Sequence, residues 1–188
     1  MKLYFSAILI FSLLLTACVK VDLPPPSERK TVQYTLELPD DFKCQHPAVD
    51  ILYFTSESPA KFKMLSRKGA EIQLDSFAKW DMLPSVMLTN SYRILLKGNE
   101  ENALYSMDGD ILIFERDLEK NAAVLKVTYH VKNRETGKVV YTGTLENSVV
   151  LSGDRPADFA KAMSQAFAAQ AAELCKQLSK LSEGGQKK

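Results

Sequence analysis

Residues 110–151 read DILIFERDLEKNAAVLKVTYHVKNRETGKVVYTGTLENSVVL, and the period of this stretch decides the fold. Three apolar-rich runs, DILIFERDL, AAVLKVTYHVKN and KVVYTGTLENSVVL, are separated by polar turns at 119–121 and 134–137. In the middle run Ala123, Leu125, Val127, Tyr129 and Val131 alternate with Val124, Lys126, Thr128, His130 and Lys132. A period of two sends successive side chains to opposite faces of a strand, so one face is buried and the other wetted. The turns are short, and Gly137 can supply the positive φ that a tight connection needs. An antiparallel meander of three strands follows.

After the meander comes SGDRP, where Asp154 and Pro156 predict a helix start. Phe159, Met163, Phe167, Leu174, Leu178 and Leu181 then line one face of a long helix, with Lys161, Gln165 and Lys176 among its polar positions. The intervening alanines favour helix and close packing. Upstream, TVQYTLEL alternates Val32, Tyr34, Leu36 and Leu38 with polar neighbours as a half-buried strand does, and AVDILYFT predicts a deeper one. KFKMLSR and AEIQLDS, joined at Lys68-Gly69, predict a hairpin. In FAKWDMLPSVMLTNSYRILLKG, Pro84 is tolerated only in a first turn. The helix is therefore expected from the region of Met82 to Pro84 through about Leu96, with Gly98 beyond its end and Trp80, Leu83, Met87 and Ile94 as its stripe. Asp108-Gly109-Asp110 is expected as a turn before the strand ILIFERD, because it lacks the remaining ligands of a calcium loop. The sum is a single α/β domain with a mixed, largely antiparallel sheet and two main helices.

The N-terminus has a different character. Residues 1–17 carry one charge, Lys2, and an apolar run from Leu3 to Leu15 broken only by Ser6 and Ser12. That is signal-peptide length rather than the roughly 20 residues of a membrane span. Leu15-Thr16-Ala17-Cys18 looks like a lipobox, with small residues ahead of the cysteine, which would become a lipidated mature N-terminus. Several acyl chains, at about 0.8 kcal/mol per buried methylene, hold a protein where one chain is marginal. Val19 follows, in place of the aspartate that favours inner-membrane retention in enteric-type bacteria, so the periplasmic face of the outer membrane is the expected location. VKVDLPPPSERK, with three consecutive prolines, is expected as an extended tether between the anchor and the domain. The expected organisation is signal peptide 1–17, lipidated N-terminus and tether 18–30, domain 31–182, and a disordered tail 183–188.

Lys2 accounts for one of 24 basic side chains, so the chain from Cys18 onward balances 23 basic against 23 acidic groups. That balance gives no footing for nucleic acid. Cys44 and Cys175 remain once Cys18 is acylated, and an even count in an oxidising compartment allows a disulfide. Small buried thiols are an equally ordinary reading, so both stay open. The only histidines are His46, in a loop, and His130, expected on a wetted strand face. No metal-ligand spacing, G-x-S-x-G, phosphate loop or dinucleotide fingerprint occurs. Neither a catalytic residue nor a cofactor or metal site is expected, and the chain is read as a non-enzyme.

The lipobox with its short linker, VQYTLEL at the domain entry, FAKWDMLPSVMLTNSYRILL, and DILIFERD followed by two long strands and an alanine-rich helix together resemble the ABC-type transport auxiliary lipoproteins, the PqiC-like family. The resemblance spans about residues 31–181, and it departs where the family often has arginine and this chain has Lys79. It implies a domain similar to the N-terminal domain of TolB. It also implies a place beside MCE-domain proteins, which form periplasmic lipid tunnels under an inner-membrane ABC permease, with the lipoprotein docking the distal end from the outer membrane. The resemblance further allows a homo-oligomeric ring. An envelope-assembly lipoprotein and a lipid-binding carrier are the alternatives.

Overall fold

The computed structural model describes residues 30–97 and 102–184. Its strands are β1 (Val32–Tyr34), β2 (Val49–Ser56), β3 (Lys63–Lys68), β4 (Glu71–Trp80), β5 (Tyr105–Asp117), β6 (Ala122–Asn133) and β7 (Val139–Val150). Its helices are α1 (Pro84–Leu95), between β4 and β5, and α2 (Pro156–Gly184), after β7. The expected single α/β domain with a mixed sheet and two helices is what forms.

β5, β6 and β7 make the antiparallel meander, with Val127 opposite both Ile111 and Leu145. The other edge of β5 is divided. β2 runs parallel along its first half, from Val49 opposite Tyr105 to Ser56 opposite Ile111, and β3 pairs in parallel at its far end, Ser66 opposite Arg116. The β3–β4 hairpin turns at Gly69, whose φ of 55° suits glycine, and β1 lies parallel to the end of β4.

Both helices serve one face of this sheet. Leu125, Val127, Tyr129 and Val131 of β6 point into it and meet Phe159, Met163, Phe167, Leu174 and Leu178 of α2, all buried. Each such side chain contributes roughly 1.5–3 kcal/mol by leaving water. α1 is stitched to an irregularity in β2 between Ile51 and Phe54: Arg93 donates to the Ile51 and Leu52 carbonyls at 3.1 and 2.7 Å, and the Phe54 amide donates to Thr89 Oγ1 at 3.0 Å.

Several expectations need correction. Asp108, Gly109 and Asp110 are not a turn but part of β5, which starts five residues earlier than expected. Gly109 is there because the Phe54 ring lies on the strand: a Cβ at 109 would come within 2.5 Å of that ring and 2.6 Å of the Thr128 carbonyl. Ile94 is 66% exposed, and the buried residues of α1 are Pro84, Met87, Leu88, Thr89, Ser91 and Tyr92. Trp80 ends β4 and so does not share the helix's phase. Gly98 lies outside the described residues, and Lys97 takes the left-handed conformation after the helix, φ 45°. β1 covers only the start of TVQYTLEL: after Tyr34 the chain leaves the sheet, Leu36 enters the core, and the Glu37 amide donates to Ser164 Oγ of α2 at 3.0 Å. Asp154 does not cap α2. It pairs with Arg116 at 2.7 Å, while Asp158 reaches back to accept the Arg155 amide at 3.2 Å, the reciprocal half of a capping box. α2 also runs to Gly184, two residues past the boundary drawn at 182.

Tyr92 and Tyr129 meet hydroxyl to hydroxyl at 2.6 Å in the middle of the core, among Phe54 and Phe167. Burial pushes both phenols well above their ordinary range. Their neutral forms are favoured by the fold, so this contribution is complete below the unfolded value of about 10 and is lost as pH rises beyond it. Tyr92→Phe or Tyr129→Phe alone strands the other hydroxyl, at a cost of about 1–3 kcal/mol, whereas the double change is expected to cost less than the sum of the two. Urea unfolding at neutral and at alkaline pH checks this. The double variant should also resist base better than the parent, and strictly additive single costs would refute the pairing.

Candidate functional site

The face of the meander away from the helices carries a cross-strand ladder of polar pairs. Its formation follows from the register: Lys126 opposes Glu146, Thr128 opposes both Asp110 and Thr144, and His130 opposes both Asp108 and Thr142. Lys126 pairs with Glu146 at 2.8 Å, Lys132 with Asp108 at 2.9 Å, and Thr128 meets Thr144 at 2.9 Å. The Lys126 ammonium holds the Glu146 carboxyl below its usual range through their hydrogen bond. Exposed pairs of this kind are screened by water and contribute little to stability.

His130 is on the wetted face, as its alternation predicts. It lies 3.4 Å from Asp110 and 3.5 Å from Thr142. A hydroxyl, an imidazole and a carboxylate in a row have the order of a nucleophile, base and orienting acid. Both contacts are longer than the 2.6–3.2 Å that proton transfer uses, and the row lies on open sheet in the ladder. Asp110 also accepts a short hydrogen bond from Thr55 of β2. In this geometry the row is a contact between the surface side chains of β5, β6 and β7.

Beside the ladder, no strand among the described residues pairs with the edge of β5 between Ile111, the last partner of β2, and Arg116, the first partner of β3. A cleft of about 530 Å³ opens there, lined by Thr55, Ser58, Leu65, Arg67, Leu112 and Glu115, among others. Arg67 Nε donates to Glu115 Oε1 at 2.6 Å, and that hydrogen bond raises the guanidinium's pKa further. The cleft was not legible in the sequence, because its walls come from strands paired across long separations. Arg67 and Glu115 each look like ordinary strand-face charges.

Cys44 and Cys175 are brought together and joined, with Cα atoms 5.8 Å apart and 131 residues of separation. The bond ties the segment between β1 and β2 to α2. Cys18 and the tether up to residue 29 lie outside the described residues. His46 makes a local contact, its Nδ1 2.6 Å from the Pro47 carbonyl. Lys79 lies on β4 and lines a second cleft, away from the ladder. Among the described residues no three His, Cys, Asp or Glu side chains converge as metal ligands would, and no helix is long and apolar enough to cross a membrane.

No family model matches the chain, and no curated protein matches it. Among solved structures, protein XCC0632 from Xanthomonas campestris, described with the family model DUF330, aligns with a TM-score of 0.73 at 17% identity, covering 83% of this chain and 99% of that one. A second, an uncharacterized protein, aligns with a TM-score of 0.66 at 11% identity, covering 80% of this chain and 99% of the other. At these identities the likeness is one of fold, and this chain has the α/β fold of those two proteins over nearly their whole length.

Proposed function

We propose that this chain is a lipoprotein anchored to the periplasmic face of the outer membrane, acting as a non-catalytic accessory subunit of an MCE/ABC-type intermembrane lipid transport system and docking the distal end of its tunnel. The observation that carries the reading is Leu15-Thr16-Ala17-Cys18 after an apolar leader, followed by a proline-rich stretch that leads straight into β1 of a single α/β domain. A polyproline spacer of ten residues reaches roughly 30 Å, enough for the domain to meet a conduit off the bilayer surface. The paired, solvent-facing ladder suits recognition better than turnover, since its cations and carboxylates neutralise one another.

The test has two arms. Palmitate label should disappear with Cys18→Ala; label that persists would sink the anchor. Deleting residues 21–30 is expected to leave lipidation and folding intact but to raise detergent sensitivity at matched protein levels, while replacing Pro24, Pro25 and Pro26 by glycine stays mild. Co-purification with an MCE-domain protein supports the transport reading. Full complementation by the deletion without such a partner would shift the reading to an envelope-assembly lipoprotein, and near-stoichiometric bound phospholipid would shift it to a carrier.

A further inference from the structure

At the opposite side of the sheet from β7, three strands bring together residues that are far apart in the sequence. Gln33 of β1 lies beside Lys79 of β4, and Lys79 beside Lys63 of β3. These side chains, with Lys61, Phe62 and Leu74, line a cleft of about 470 Å³ whose one carboxylate is Asp81. None of the three lysines joins an ion pair among the described residues, whereas Lys126, Lys132 and Arg67 on the rest of the sheet are each matched to a carboxylate. Like charges directly opposite one another on a sheet are destabilising, and Lys63 opposite Lys79 is such a pair.

Apolar groups surround these cations without being buried. Phe62 is 46% exposed, Leu74 39%, and Ile72, one turn of the pleat further along β4, 43%. Free ammonium groups interleaved with an aromatic and aliphatic side chains are the combination that settles at the headgroup level of a membrane. The chain also leaves the domain here. Lys30 stands three residues before Gln33, and eleven residues lie between it and Cys18.

We infer that this face, made of the 59–62 loop, β1 and the β3–β4 hairpin, rests on an anionic phospholipid bilayer. The lysines meet lipid phosphates while Phe62, Ile72 and Leu74 enter the boundary between headgroups and acyl chains. The inference rests on the membrane-anchored reading for its orientation, because the tether limits how far the domain can stray from the surface without setting how it faces. Contact through this side leaves β7, at the opposite end of the strand order, clear of the patch.

The experiment uses the chain from residue 18 with Cys18→Ala, so that no acyl chain contributes. It is mixed with vesicles of phosphatidylethanolamine and phosphatidylglycerol, and with vesicles in which phosphatidylcholine replaces the anionic lipid. Binding to the first set is expected, weakening as salt shortens the screening length from about 10 Å at 0.1 M to about 3 Å at 1 M. Each lysine near such a surface is worth about five-fold in affinity, so Lys61→Gln, Lys63→Gln and Lys79→Gln together should cost about a hundredfold. Phe62→Ser should weaken binding at high salt as well as low. A control triple at exposed lysines elsewhere, Lys43→Gln, Lys138→Gln and Lys161→Gln, removes the same charge and should leave binding close to the parent's. Urea midpoints confirm that both triples are folded, and relieving the Lys63–Lys79 repulsion should not lower the first. No binding to anionic vesicles at low salt, or equal loss in the two triples, would overturn the inference. Either result would leave the lipid anchor and the accessory role standing, since neither enters this measurement.

Discussion

Replacing Cys44 and Cys175 together by alanine is expected to lower the unfolding free energy by about 4–5 kcal/mol. The bond closes a loop of 131 residues, and in the chain-entropy account a cross-link over about 100 residues removes roughly 4.7 kcal/mol of freedom from the unfolded chain. Domains of this size are commonly stable by about 5–15 kcal/mol in all, so the variant should sit near the edge of folding at body temperature. Urea unfolding of the parent with and without reductant, beside the double alanine variant, measures it. The reduced parent and the variant should coincide. A loss below about 1 kcal/mol in both would mean that the pair contributes little to the native protein.

Trp80→Ala should cost about 3–5 kcal/mol, the range for emptying a large aromatic site that cannot collapse. Trp80 is almost wholly buried, and its ring meets Phe114 of β5 at 5.1 Å and Phe159 of α2 at 5.6 Å, edge to face in both cases. It therefore joins the end of β4, the centre of the sheet and the first turns of α2 in one contact. Trp80→Phe should recover a good part of the loss, because a smaller ring still bridges two of the three elements. Since Trp80 is the only tryptophan, far-UV circular dichroism rather than intrinsic fluorescence has to follow the transition. Equal destabilisation by alanine and phenylalanine would show that the indole's shape, and not the volume filled, is what the site requires.

What was legible beforehand is what local period encodes. β6 matches AAVLKVTYHVKN residue for residue, and the apolar face of α2 is the one its spacing predicts. The turns at 119–121 and 134–137 carry positive φ at Asn121 and Gly137. The misread positions are those where a tertiary neighbour overrides the local signal. Asp-Gly-Asp has the composition of a turn, but Lys132 takes Asp108, His130 and Thr55 take Asp110, and the Phe54 ring requires the glycine. Asp154 has the composition of a cap, but Arg116 draws it away. The strand order could not be read at all, because nothing near β2 or β3 in sequence says that both must use one edge of β5. The lysine row is hidden for the same reason: Gln33, Lys63 and Lys79 are neighbours only after β1, β3 and β4 have paired. Of the site residues, Cys44 and Cys175 could be named as a possible pair, but counting alone does not decide between a bond and two thiols.

The divided edge of β5 also sets an order of events. β5, β6 and β7 join through turns of a few residues, so each closure costs little entropy, and α2 follows them directly in the chain. β2 and β3 instead wait for partners roughly fifty residues downstream, Val49 for Tyr105 and Ser66 for Arg116. A chain made or exported from its N-terminus presents those waiting strands first. Until Tyr105 has emerged, the β3–β4 hairpin and α1 have no central strand on which to assemble, and the apolar side chains of β2 have no strand to pair beside. The C-terminal half can condense as soon as it appears, while the N-terminal half depends on what comes after it, so the interval between the two is when this protein is most exposed to wrong partners.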